Sequence, residues 1–238
     1  MSVVEILTVL YFKIMNISLK NLGNKKRDVF ILSNGHTVAA LYSILCQKKI
    51  INRTILKTYC QNGSLIGGHP TFGRIPGIET TTGSLGHGLP MGMGMALAKK
   101  KSGFGGKVYV MISDGEMDEG SVWETALAAP HFRLDNLIVI ACDNNSQGYG
   151  KSREVLNLDP IEKKWQAFGW KVKEVNGHDT RQILQELQNL PPQTKKPTII
   201  IAKTILGKGV SFMENKMEWH YLNLDEKLYK IAKKEIEK

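Results

Sequence analysis

Three short aliphatic runs, KVYVMI at 107–112, NLIVIA at 136–141 and TIIIA at 198–202, punctuate the chain, each rich in β-branched residues. Runs this short and apolar throughout suit strands that are buried on both faces. A weaker, alternating stretch at 170–175 reads as another strand. Between the first two runs, residues 119–131 carry apolar side chains at helical spacing, and residues 180–190 fit a second helix ended by Pro191-Pro192. Strand, helix, strand at these lengths dictates parallel pairing through right-handed crossovers. The predicted fold class is therefore α/β, a mainly parallel central sheet with helices on both faces. Ligands of such sheets collect at the loops beyond the carboxyl ends of the strands. Two glycine-rich loops, 61–88 and 143–159, are long enough to be functional.

The 238 residues can bury a full core, and no repeat, low-complexity block or boundary divides them, so residues 1–238 read as a single domain. The opening MSVVEILTVLYFKIM lacks a basic leader and a small-residue cleavage site and reads as a buried helix. No apolar run reaches the ~18 residues of a membrane span. Cys46, Cys60 and Cys142 are scattered, odd in number and not at metal spacing, which points to a reduced, cytoplasmic setting. The net charge of +10 sits largely in lysine runs such as 99–101 and 195–196, and reads first as a solvated surface. Attraction for phosphorylated small molecules or an acidic partner is the functional alternative. No basic stretch is interleaved with aromatics, so nucleic acid is not an expected partner.

Ser113-Asp114-Gly115-Glu116 directly follows the first run. A carboxylate at a strand end, followed by glycine, can hold a hard cation while bare backbone approaches a phosphate. Alone, Asp-Gly is usually a turn. The second run, however, ends in Asp143-Asn144-Asn145, and Asn144 lies thirty residues after Asp114. A strand–helix–strand unit returns the chain to the same sheet edge, so the two residues can share one ion. A carboxylate, an amide oxygen, a carbonyl and two diphosphate oxygens make an octahedral oxygen shell suited to Mg²⁺.

Asp-Gly followed at this distance by Asn-Asn resembles the metal and diphosphate motif of thiamine-diphosphate enzymes. The text DGEMDEGSVWETALAAPHFRLDNLIVIACDNN is similar to the transketolase family in particular. So are TTGSLGHGL at 81–89, ILSNGHTVAALYSIL at 31–45, GGHP at 67–70, and GKGVSFMEN with WH between 207 and 220, in family order along nearly the whole chain. The resemblance implies the thiamine-diphosphate-binding fold, in its diphosphate-binding domain. It implies that Asp114 and Asn144 ligate Mg²⁺ (or Ca²⁺ or Mn²⁺) by side chains and Ser146 by its carbonyl. Gly115 and Glu116 would belong to the diphosphate-binding set, with Gly83, Ser84 and Leu85 beside the cofactor. His36 and His220 would contact the diphosphate, His69 the sugar hydroxyls, and Glu119 a carboxylate network at a subunit interface. His36, His69, His220 and Glu119 form the implied catalytic set. Neutral or protonated imidazoles suit both tasks, because a diphosphate with one Mg²⁺ retains negative charge and ketose cleavage needs proton shuttling.

Plainer readings stand beside these. His131 and His178 read as structural; His87 is open, since glutamine is common at the matching family position. Gly83, Gly86 and Gly88 also fit a simple turn, MGMGM at 91–95 fits close helix packing, and Trp123 and Glu124 fit a dimer contact as well as a core. Ser113, and Tyr221 after His220, stand where the family usually has glycine. The family's preceding Gly-His-Pro-Gly region is not in this sequence, nor are its C-terminal domain and its pyrimidine-binding domain with the glutamate that activates the aminopyrimidine ring. The resemblance thus implies the N-terminal subunit of a heteromeric transketolase, completed by a C-terminal subunit carrying the pyrimidine-binding domain and self-associating as α2β2. It would move a two-carbon ketol unit between sugars or sugar phosphates. Alternatives are a non-catalytic paralogue that binds thiamine diphosphate and the α subunit of a 2-oxo acid dehydrogenase.

Overall fold

The computed structural model describes residues 2–190 and 194–237, so the proposed helix stop at Pro191-Pro192 lies outside the described residues. Five parallel strands form the sheet: β1 (Val29–Leu32), β2 (Val108–Ser113), β3 (Leu137–Asp143), β4 (Lys171–Asn176) and β5 (Thr198–Lys203), in the order β1-β2-β3-β5-β4. Four of them match the runs read from the sequence. β1 does not, because VFIL is only four residues long and offers no periodicity of its own; its burial against β2 makes it a strand.

The main helices are α1 (Val4–Val9), α2 (Val38–Gln47), α3 (Gly88–Lys101), α4 (Gly120–His131), α5 (Ile161–Ala167), α6 (Thr180–Gln188) and α7 (Glu226–Ile236). Successive strand residues face opposite sides of the sheet. Phe30, Tyr109, Met111, Ile138 and Ile140 join α1, α2 and α6 in one core. Val108, Val110, Leu137, Val139 and Ile199 join α3, α4 and α5 in the other. Strands covered on both sides leave no polar face, which is why β2, β3 and β5 read as continuous apolar runs, whereas the edge strand β4, with Lys173, Glu174 and Asn176 exposed, alternates.

The opening segment is the expected buried helix, with Ile6, Leu7, Leu10 and Tyr11 inside, but it finishes in a π-helical turn over Leu10–Ile14. α6 begins as predicted, its first N–H groups capped by the Asp179 carboxylate. In α3 a methyl group built on Gly92 would lie 2.4 Å from Val110 Cγ2, so this glycine does permit close helix–sheet packing, while Gly94 faces open space. The 61–88 loop is pinned by the buried Ile66, Ile75 and Ile78. Among the described residues no helix is long and apolar enough to cross a membrane.

Register decides where the chemistry gathers. Leu32 pairs with Met111 and Ser113 with Cys142, so the chain leaves β1, β2 and β3 along one edge. Asp114 and Asn144 follow β2 and β3 directly, and Asn34 follows β1 after Ser33.

Candidate cofactor site

Asp114 is only 3% exposed, directly below that edge. Its Oδ2 accepts hydrogen bonds from Ser152 Oγ at 2.8 Å and from the Ser146 N–H at 3.2 Å, while its Oδ1 is buried without a partner. The same Ser146 N–H donates to Asn144 Oδ1 at 2.9 Å. Burial, reinforced by the nearby Asp143 charge, raises the Asp114 carboxyl to about 6 despite the Ser152 hydrogen bond. A buried carboxylate with an unpaired oxygen calls for a cation. Among the described residues no three His, Cys, Asp or Glu side chains gather as metal ligands. An all-oxygen, partial donor set fits a hard ion such as Mg²⁺ that takes its remaining ligands from a phosphate.

Asn144 and Asn145 are told apart by geometry. Asn144 lines the cavity above Asp114. Asn145 adopts a left-handed backbone, φ 53°, and turns its Oδ1 to accept the Arg153 N–H at 3.1 Å. Arg153 also donates from both Nη atoms to Asp143, at 3.2 and 2.9 Å, and Lys203 Nζ adds a third bond at 2.7 Å. Burial would raise the Asp143 carboxyl, but these two cations hold it below the usual range. The clamp anchors the start of the 143–159 loop against β5.

The cavity has a volume of about 850 Å³. His36, Leu85, Gly115, Glu119, Asn144, Ser146 and His220 line it. His36, on the turn before α2, and His220, on a 3-10 turn over Met217–His220, face each other with ring centroids 5.9 Å apart. Both imidazoles are held below their ordinary value by desolvation, His36 also by the neighbouring His220 and His69. Neutral rings result, and His220 Nδ1 is buried with no partner. An anion's oxygens would satisfy such groups.

His69 and Gly83 are not among the residues that line the cavity, and His69 is exposed to solvent. His69 packs on Gly83: a methyl group there would come 2.5 Å from the His69 ring, and Gly83 itself abuts Gly35, one residue before His36. The glycine at 83, with φ 140°, is thus demanded by close approach as well as by backbone conformation. Ser84 is exposed beside it. Glu116 is fully buried and faces Ser33 and Gly86 rather than the cavity. Gly115 is required because a methyl group would meet Gln147 Cβ at 2.6 Å. Ser113 turns its hydroxyl to accept the Glu116 N–H at 3.2 Å. Tyr221 reaches across the mouth and donates to the Gly148 carbonyl at 2.6 Å, tying the His220 turn to the Asn144 loop. His131 stacks edge-on against Phe132, and His178 accepts the Ile205 N–H while pairing with Glu5. His87 is exposed and bonded to the Leu85 carbonyl, and Trp123 stacks on Trp165 in the core.

Several site residues escaped the sequence reading. Asn34 lines the cavity with a buried Oδ1 that has no partner, and only its place before Gly35-His36 could have flagged it. Asp118, also on the wall, accepts from Gln147 Nε2 at 2.9 Å. Ser152, which holds Asp114, lies thirty-eight residues away and carries no local signal.

The family model described as "Transketolase, thiamine diphosphate binding domain" matches residues 1–236. Among curated proteins, an apulose-4-phosphate transketolase subunit from Actinobacillus succinogenes is 45% identical over 93% of this chain and 80% of its own length. The 6-deoxy-6-sulfo-D-fructose transketolase subunit of a Clostridium species is 40% identical over 100% of this chain and 86% of its own length. Among solved structures, the transketolase of Campylobacter jejuni superposes with a TM-score of 0.91 at 31% identity, covering 99% of this chain. This chain spans only 38% of that one.

Proposed function

The chain belongs to the transketolase family, in its thiamine diphosphate binding domain, and from that premise we propose that it is the diphosphate-binding subunit of a two-chain transketolase. One observation carries the reading: Asp114 Oδ2 and Asn144 Oδ1 converge on one atom at the sheet edge, beside an unpaired buried Asp114 oxygen and beneath the His36–His220 pair. Both curated relatives are named as subunits, which supports a partner chain.

In this reading Asp114, Asn144 and the Ser146 carbonyl hold Mg²⁺. Gly115 lets its backbone come close to the diphosphate, and His36 and His220 donate ring N–H bonds to it. His69, beside Gly83, serves the donor sugar's hydroxyls, where an imidazole can accept or donate a proton. Glu119, exposed at the rim, meets a carboxylate network across the subunit boundary. Thiamine diphosphate, when bound, supplies the carbon nucleophile and electron sink for carbon–carbon cleavage; the protein supplies position and electrostatics. The reaction moves a two-carbon ketol unit from a ketose or its phosphate to an aldose or its phosphate. A C-terminal subunit carrying the pyrimidine-binding domain completes the site in an α2β2 assembly. The two relatives are named for different sugars.

Calorimetric titration of the full chain, mixed with its partner subunit, with thiamine diphosphate and Mg²⁺ tests the reading, alongside ketol transfer assayed against 2-oxo acids as a control. Saturable, Mg²⁺-dependent binding that Asp114→Ala abolishes is the expected result. Absence of binding with the partner present would end it.

A further inference from the structure

Glu116 forms none of the cavity's wall, yet it joins the three chain segments that do. Its Oε1 accepts from Ser33 Oγ, on the turn that leads through Asn34 to His36. The same oxygen accepts the Gly86 N–H at 2.9 Å, on the turn that carries Gly83 and Leu85. Its own N–H donates to Ser113 Oγ at 3.2 Å, beside Asp114 and Gly115. Ser33 and Glu116 are both 0% exposed. The turns pack closely around them: a methyl group on Gly88 would sit 2.3 Å from Ser33 Oγ, and one on Gly86 would sit 2.5 Å from Ser121 Oγ. Ser121 Oγ in turn donates to the Gly86 carbonyl at 2.7 Å, which fixes the far side of that turn.

Two buried donors from separate turns thus depend on one oxygen. Without it, both are left unsatisfied where water cannot reach them, and the strain is relieved only if the turns separate. Separation would carry His36 away from Leu85 and both away from Asp114. We propose that Glu116 is a positioning residue, a buried acceptor that holds the His36 and Leu85 turns in register against the Asp114 turn and so sets the affinity for thiamine diphosphate. The inference rests on the cofactor reading above, and it replaces direct contact by Glu116 with action through its neighbours.

The test is half-saturation by thiamine diphosphate, at saturating Mg²⁺, of the full chain assembled with its partner, measured well below each variant's thermal midpoint. Glu116→Leu removes the acceptor at similar volume, and half-saturation should rise about tenfold while kcat at saturating cofactor stays within about threefold. Glu116→Gln keeps an oxygen at the Oε1 position and should bring half-saturation back to within about threefold of wild type. Ser33→Ala frees only the His36 turn and should fall between them. A simple loss of stability would lower the thermal midpoint and leave half-saturation unmoved; wild-type half-saturation in folded Glu116→Leu or in Ser33→Ala overturns the inference. Should Glu116→Leu fail to fold, a rise in Ser33→Ala but not in Glu116→Gln supports it, and equal values overturn it. If the wild-type assembly itself shows no saturable response to the cofactor, the cofactor reading fails instead.

Discussion

Asp114 and Asn144, on neighbouring strand ends, accept hydrogen bonds from one and the same donor, the backbone N–H of Ser146. Two side-chain oxygens that reach a common atom can also reach a common ion, and the unpaired Asp114 Oδ1 shows that the carboxylate is only half satisfied by protein.

Asp114→Asn should separate stability from binding. Burial raises the carboxyl to about 6, so near neutral pH the free protein holds an ionised, underpaired group. For an acid whose folded value is raised, the favourable contribution exists at low pH and is gone above the folded value. Removing the charge should thus stabilise the free chain by about 1 kcal/mol. The rise in melting temperature that Mg²⁺ and thiamine diphosphate give the wild type should vanish. Melting curves with and without both ligands check the two halves; an Asn variant that still gains from Mg²⁺ contradicts the assignment.

His36 and His220 should make ligand stabilisation pH-dependent. Both are held below their ordinary value, chiefly by desolvation. The unfolded chain therefore takes up protons first, and the free protein should lose stability as pH falls through the unfolded histidine value of about 6.5. A bound diphosphate favours the protonated rings, so the thermal shift it produces should grow over that same window. Double replacement of His36 and His220 by Gln should flatten the trend.

Gly92 and Gly94 share a helix and should respond oppositely to alanine. Gly94→Ala meets open space and should stabilise by about 0.5–1 kcal/mol through helix propensity. Gly92→Ala drives a methyl group to 2.4 Å from Val110 Cγ2 and should destabilise by about 1–3 kcal/mol. Denaturant titrations of the pair would measure both signs.

Arg153→Met should loosen the Asn144 loop. It leaves the buried Asp143 with Lys203 alone. Discounting for the partial exposure of Arg153, the loss should be about 2 kcal/mol. Hydrogen exchange should show faster opening across 144–152, with weaker cofactor binding as its consequence; unchanged exchange there would mean the clamp is ornamental.

How much of this was legible beforehand depends on what kind of signal each residue carried. Three strands were readable because strands buried on both faces write themselves as apolar runs, and β4 was readable by its alternation; β1 was not, since four residues hold too little pattern. Asp114, Asn144, His36 and His220 stood inside recognisable blocks and do come together at one edge. His69 and Gly83 pack against each other outside the cavity lining, and Glu116 turns inward toward Ser33 and Gly86.

Sequence by itself determined the α/β architecture, the order of the motifs and the residue types available for oxygen-ligated metal and diphosphate, because hydrophobic period and turn chemistry are local properties of the chain. Tertiary structure alone decided that Asn145 turns to the Arg153 N–H, that Ser152 holds the carboxylate, and that one Glu116 oxygen braces two turns. Those choices depend on sheet register and on which buried donors lack any other acceptor, and both are settled by contacts between segments far apart in sequence.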